Sequence, residues 1–139
     1  MGMPNSINQR FASRDVGGAT FTLDAEASNE ITVAIQLLDV EGRPMQKRAA
    51  VHGYLSSDAN GDTLEAVASG LTLAVGTDGI VIVGGATNVL GHHHFMLVSE
   101  ADGDIDLSIT ETGGADVFYV VLILPNGDLK VSQAITFAA

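Results

Sequence analysis

Apolar and polar residues alternate with a period of two along most of this chain. Ala19, Phe21, Leu23 and Ala25 take every second position, which predicts a strand over 19–26. Ile31, Val33, Ile35 and Leu37 alternate with Thr32, Ala34, Gln36 and Leu38, and Asp39-Val-Glu-Gly42 turns the chain. Residues 46–56 read as strand, with Val51, Tyr54 and Leu55 apolar. The Ser57–Asp62 cluster is a dense turn signal, and Leu64 to Ser69 reads equally as one helical turn or a crossover. Leu71, Leu73 and Val75 alternate again, Ile80 to Val83 is a short apolar run, and His92 to Ser99 follows a Gly-rich break. Ile105, Leu107 and Ile109 alternate with Asp106, Ser108 and Thr110.

Residues 117–137 give the clearest signal. Val117 to Leu124 is apolar on both faces, as a central strand is. Pro125-Asn126-Gly127 then supplies hairpin chemistry, because Pro presets φ and Asn-Gly tolerates positive φ. In the return run, Leu129, Val131, Gln133, Ile135 and Phe137 are expected on one face, with Lys130, Ser132, Ala134 and Thr136 on the other. Eight or nine short strands at roughly ten-residue spacing predict an all-β, single-domain β-sandwich. A jelly roll is favoured over an immunoglobulin-like sandwich, because the chain has no Cys and no Trp to form the Cys…Trp…Cys core. Residues 1–18 are polar and patternless, so the expected division is an extended N-terminal arm over 1–18 and a sandwich over 19–139.

Charge sharpens that division. The chain has 139 residues and a net charge of −11. Residues 1–18 carry Arg10, Arg14 and Asp15, for +1, which leaves −12 on the remainder. An acidic body opposes direct contact with nucleic acid or anionic membrane. No apolar signal region opens the sequence, and its longest apolar run, Val117 to Leu124, is far too short to span a bilayer. In the arm, Ile7 and Phe11 are candidate anchors and Arg10 and Arg14 candidate partners for an acidic surface. Arg43, Lys47 and Arg48 form the one basic cluster of the body, read either as an ordinary charged loop or as a docking patch.

Catalytic chemistry is not written in the residues. His92-His93-His94 would place two imidazoles on one face of a strand, with His52 as a third ligand, but a solvated or interface strip fits better. Asp58-Ala-Asn-Gly-Asp62 lacks the calcium-loop spacing of Gly and Glu. Glu100, Asp102, Asp104 and Asp106 alternate with apolar residues, so they read as wet-face charges that discourage edge pairing. No nucleophile elbow, phosphate loop or nucleotide fingerprint occurs. The expectation is a non-enzyme with no cofactor and no metal.

Four segments carry a resemblance: Ile31-Thr-Val-Ala-Ile-Gln-Leu-Leu-Asp-Val-Glu-Gly42, Gly53-Tyr-Leu-Ser-Ser-Asp-Ala-Asn-Gly-Asp62, Leu97-Val-Ser-Glu-Ala-Asp-Gly-Asp-Ile-Asp-Leu107 and Tyr119-Val-Val-Leu-Ile-Leu-Pro-Asn-Gly127. In these the chain resembles the capsid cement, or decoration, proteins of tailed bacteriophages, most of all those with a jelly roll. The resemblance implies a structural virion protein on the outside of an icosahedral capsid, assembled in a bacterial cytoplasm. Its partners would be the major capsid protein and a second copy of itself in a homodimer, held non-covalently. Interface residues would then be Ile7, Arg10, Phe11, Arg14, Arg43, Lys47 and Arg48. The alternatives are a carbohydrate- or receptor-binding sandwich and a metal-dependent cupin. The first wants exposed aromatic platforms, the second a further His cluster.

Overall fold

The structure, a computed structural model, describes residues 15–64, 71–75, 78–83 and 95–138. Among the described residues ten strands follow one another: β1 (Val16–Leu23), β2 (Glu30–Asp39), β3 (Ala50–Ser56), β4 (Leu71–Val75), β5 (Ile80–Val83), β6 (Phe95–Val98), β7 (Asp104–Glu111), β8 (Asp116–Ile123), β9 (Leu129–Val131) and β10 (Ile135–Phe137). The fold is an all-β sandwich. One sheet has the order β1-β2-β7-β4, and the other β10-β8-β3-β6-β5 with β9 also on β8. Every pairing is antiparallel. From β2 to β5 successive strands fall in opposite sheets, and β7 and β8 return to lie beside β2 and β3. That interleaving is the Greek-key winding which the jelly-roll expectation requires.

The period-two pattern places the core. Ile31, Val33, Ile35 and Leu37 of β2 and Ile105, Leu107 and Ile109 of β7 point inward from one sheet. Val51 and Leu55 of β3, Phe95 and Leu97 of β6, and Phe118, Val120 and Leu122 of β8 meet them from the other. Phe118 and Phe137 pack with ring centroids 5.8 Å apart, within the range where tilted aromatic pairs attract. Gly53 is required where β3 passes Phe95. A Cβ there would lie 2.6 Å from the Phe95 ring and 2.9 Å from the Val121 carbonyl. Gly103 turns β6 into β7 at φ +82 and offers its carbonyl to the Leu37 amide at 2.9 Å.

Two boundaries differ from the sequence expectation. The first strand runs from Val16 to Leu23, where the alternation predicts a strand over 19–26. The larger difference is in the return run, which is two strands and not one. Leu129 and Val131 pair with Ile123 and Val121, whereas Ile135 pairs with Phe118. Leu129 therefore lies on the outer face and Ile135 and Phe137 on the inner one. The switch occurs at Ser132, whose amide donates to the Val120 carbonyl at 2.9 Å while its hydroxyl accepts the Val120 N–H at 3.0 Å. The hydroxyl stands in for a strand carbonyl, and the chain changes face without orphaning a buried amide.

Ser99 and Ser56 do related work at strand ends. Ser99 accepts the Ala49 N–H at 3.0 Å. Ser56 donates to the Thr63 carbonyl at 2.7 Å and accepts the Asp58 N–H at 3.2 Å. All three serines are buried, and period-two patterning gives no sign of them because each is used at a break in the pattern.

Candidate docking face

The two outer faces of the sandwich differ in charge. On the four-stranded sheet the outward positions include Gly18, Thr20 and Thr22 of β1, Glu30, Thr32, Ala34, Gln36 and Leu38 of β2, Thr72 of β4, and Asp104, Asp106, Ser108 and Thr110 of β7. That face is polar and acidic.

On the six-stranded sheet the outward positions run in rows. Leu129, Ile123, His52 and Met96 follow one another across β9, β8, β3 and β6. Ala50, Val98 and Ile80 form the next row towards the end of the sandwich that carries Asp104. Val131, Val121 and Tyr54 form the row on the other side. Beyond them come Tyr119 beside Ser56, and Val117 beside Thr136. None of these positions is Asp, Glu, Lys or Arg, in a chain with 17 acidic and 6 basic residues.

Exposure follows the same division. Ile80 is 49% exposed, Val117 46%, Leu129 43% and Ile123 38%. Single exposed apolar residues are ordinary on proteins, but these share one sheet face, and such patches mark interaction sites. Part of the face is already covered. The 57–64 loop lies over it, with the Tyr54 hydroxyl donating to the Gly61 carbonyl at 2.6 Å. Gly61 sits against the Val121 methyls, which explains why Val121 is fully buried while facing outward. Burial first, and then the nearby Asp62 and Asp58, raise the Tyr54 phenol above its ordinary pKa. Asp58 holds the loop's shape by accepting the Asn60 and Asp62 amides at 2.8 and 3.1 Å, and these bonds, led by that from Asp62, lower its pKa.

An acidic recess opens at the Asp104 end of the sandwich. Its volume is about 560 Å³, and Gln46, Asp78, Glu100, Ala101, Asp102 and Asp104 line it. Carboxylate oxygens of Asp78, Asp104 and Asp106 lie within 4.8 Å of one another. Burial, then the hydrogen-bonding Asp78 carboxyl and the charges of Asp106 and Asp102, raise the Asp104 pKa. Three carboxylates offer oxygens to a hard cation such as calcium, which takes six to eight. Crowding of like charges favours the protonated form of Asp104. The alternation of Asp104 and Asp106 with apolar residues puts both on the outer face, as expected. Asp78 joins them through the β4–β5 turn, where the Asp106 amide donates to its carbonyl at 2.8 Å. That long-range meeting leaves no trace in the local pattern.

The sequence-selected residues are distributed as follows. Ile7, Arg10, Phe11 and Arg14, and likewise His92, His93 and His94, lie outside the described residues. Arg43 pairs with Glu41 at 2.6 Å and Asp39 at 3.6 Å within its own turn. Asp39 also accepts the Arg43 and Glu41 amides, and the first of these contributes most to its lowered pKa. Arg48 donates to the Ser99 carbonyl at 3.1 Å and lies 4.0 Å from Glu100. Lys47 is exposed. Two of the three basic residues are thus engaged by neighbouring acids. His52 sits mid-face, opposite Met96 and Ile123. No helix among the described residues is long and apolar enough to cross a membrane.

No protein-family model matches the chain. No curated protein matches it either. Among solved structures it is similar to a cohesin module of a family 33 glycoside hydrolase from Clostridium perfringens. The identity is 10% over 88% of this chain and 94% of that one, with a TM-score of 0.39. It is also similar to the GAE domain of GGA2p from Saccharomyces cerevisiae, at 12% identity over 91% and 90% of the two chains, with a TM-score of 0.24.

Proposed function

We propose that this protein is a non-catalytic adhesion module, a cement protein that binds the outside of an icosahedral phage capsid and holds adjacent major capsid proteins together without covalent bonds. One observation supports the reading: among the described residues, the outward strand positions of the six-stranded sheet include no Asp, Glu, Lys or Arg and hold Ile80, Ile123 and Leu129 partly exposed, while the opposite face is polar and acidic. A part with one adhesive side and one solvated side can coat a larger body and leave the coated surface soluble. Charged residues are depleted at interface cores, and apolar anchors there carry most of the affinity. Each contact is weak, and many copies on one lattice act together through avidity. The arm and the loop carrying Arg43, Lys47 and Arg48 would add contacts at the rim, to the capsid or to a second copy in a homodimer, where charge sets approach and register.

The test is co-sedimentation with purified undecorated shells. Ile123→Lys with Leu129→Lys puts two cations into the row that faces the partner. Desolvating unpaired charge there is expected to weaken binding by about 2–4 kcal/mol, or roughly 30- to 1000-fold. Undiminished decoration by the folded double variant would refute the reading. The alternative, a carbohydrate- or receptor-binding module, draws on Tyr119, a half-buried aromatic on the same face. Glycan-array binding that is lost in Tyr119→Ala, with no shell binding, would favour it.

A further inference from the structure

The sequence holds two Asn-Gly pairs, Asn60-Gly61 and Asn126-Gly127. Such a pair has a reactivity of its own. A glycine amide has no side chain beside it, so it can close on the carboxamide carbon of the preceding asparagine. Both pairs lie in turns, with Gly61 at φ +79 and Gly127 at φ +92. The fold nevertheless treats them differently.

Asn126 is held at both ends of its carboxamide. Its Oδ1 accepts the Asp128 amide at 2.9 Å, and its Nδ2 donates to the Asp128 carboxylate at 3.3 Å. The Gly127 amide is also taken, donating to the Leu124 carbonyl at 2.9 Å. Asn60 is exposed, and its carboxamide makes no hydrogen bond among the described residues. The Gly61 amide donates to the Asp58 carbonyl at 3.3 Å, longer than a good amide bond. At Asn60 the electrophile is free to turn and the nucleophile is weakly held. At Asn126 both are fixed.

We propose that Asn60 is a spontaneous modification site, and that its conversion lifts the 57–64 loop from the outer face of the six-stranded sheet. The Gly61 amide gives its proton to solvent and attacks Asn60 Cγ. The N–Cγ bond forms, the Cγ–Nδ2 bond breaks, and the nitrogen takes up a proton and leaves as ammonia. Water then opens the cyclic imide, and nothing is oxidised or reduced. Cleavage of the N–Cγ bond leaves an aspartate at position 60. Cleavage of the bond to the Asn60 backbone carbonyl carbon leaves an isoaspartate, whose main chain runs through Cβ and Cγ.

Each product disturbs the cover. The imide nitrogen has no hydrogen for the Asp58 carbonyl. Either product puts a new carboxylate between Asp58 and Asp62. The isoaspartate also adds one backbone atom between two amides, those of residues 60 and 62, that share Asp58 Oδ1 at 2.8 and 3.1 Å. Gly61 has little room to absorb it. Even a Cβ there would stand 3.3 Å from the Tyr54 hydroxyl and from a Val121 methyl. The Tyr54–Gly61 bond, at 2.6 Å, is the latch that gives way, and Val121, now fully buried, joins the exposed apolar face. This chemistry does not depend on what the protein coats.

The test is ageing of the full-length protein at mildly alkaline pH, with peptide mapping by mass spectrometry and enzymatic methylation to count isoaspartate. Asn60 is expected to convert several-fold faster than Asn126 in the folded protein, and the two rates are expected to converge in urea. Binding of an uncharged hydrophobic dye should rise with the converted fraction, and stay flat in Asn60→Gln, whose longer side chain closes the ring far more slowly. Far-UV circular dichroism checks that the aged protein remains folded. Equal rates in the folded protein, a gap that persists in urea, or no conversion at Asn60 overturns the site. An equal rise in dye binding for Asn60→Gln overturns the link to the loop. No readout involves a capsid, so the outcome is separate from that of the shell-binding test.

Discussion

Ser132→Ala isolates the device that sends the C-terminal run from one face of the sheet to the other. The substitution removes one oxygen. That oxygen accepts the Val120 N–H at 3.0 Å and donates to the Gln133 carbonyl at 2.8 Å. Gln133 is exposed, so its carbonyl exchanges the lost bond for water at little cost. Val120 is fully buried, so its N–H has no such exchange. An unsatisfied buried donor costs about 1–3 kcal/mol. Against a typical total of about 5–15 kcal/mol, that is a large share. For a domain of this size it amounts to a fall in Tm of roughly 4–12 °C. Urea denaturation with unchanged m-value, together with thermal melts, measures it. Ser57→Ala, at an exposed serine, serves as control and is expected within about 0.5 kcal/mol of the parent. If Ser132→Ala also falls within about 0.5 kcal/mol, the hydroxyl is not replacing a ladder bond and the explanation of the strand break is wrong.

Gly53→Ala is expected to destabilise by about 1–3 kcal/mol or more, because the added methyl meets the Phe95 ring at 2.6 Å and backbone at 2.9 Å; a shift in urea midpoint checks it. Asp104→Asn is expected to stabilise the protein at neutral pH. The folded pKa of Asp104 is raised, so between the ordinary value of 3.8 and the raised one the folded state holds a proton that the unfolded state has released. The native aspartate therefore costs stability as pH rises through that window, and the gain from the amide substitution should vanish once pH falls below the ordinary carboxylate value of 3.8. A pH series of melts showing the gain at acid pH instead would contradict the raised pKa of Asp104. Asp39 and Asp58 have the opposite sign: their lowered pKa values contribute stability above the ordinary carboxylate value that is lost on acidification below it, so Asp58→Asn should lower Tm at neutral pH more than at strongly acid pH.

Fold class is legible in the sequence because burial on one side imposes a period of two, and the β2, β7 and β8 patterns are nearly complete. The central position of β8 is legible as well, since Val117 to Leu124 is apolar at every position. The second meaning of that run is not. A strand apolar on both faces either is covered on both or leaves apolar side chains exposed on one, and Ile123 and Val117 do the latter while Val121 is covered by the 57–64 loop. Only the register with β3 and β9 brings Ile123, His52, Met96 and Leu129 into one row, and register is a non-local quantity. The alternation misplaces Leu129 for the same reason that it hides Ser132: a single hydroxyl resets the period. Asp78 joins Asp104 and Asp106 across a turn that alternation does not describe. The Arg43, Lys47 and Arg48 cluster is visible as composition, whereas the capture of Arg43 and Arg48 by Asp39, Glu41 and Glu100 depends on the fold.

The central claim is that the uncharged sheet face is the side that adheres. Electron cryo-microscopy of phage shells incubated with the protein tests it most directly. The account predicts ordered density on the shell exterior with Leu129, Ile123, His52 and Met96 against the capsid and the Asp104–Asp106 face towards solvent. Density in the reverse orientation, or bare shells at saturating protein, would contradict it.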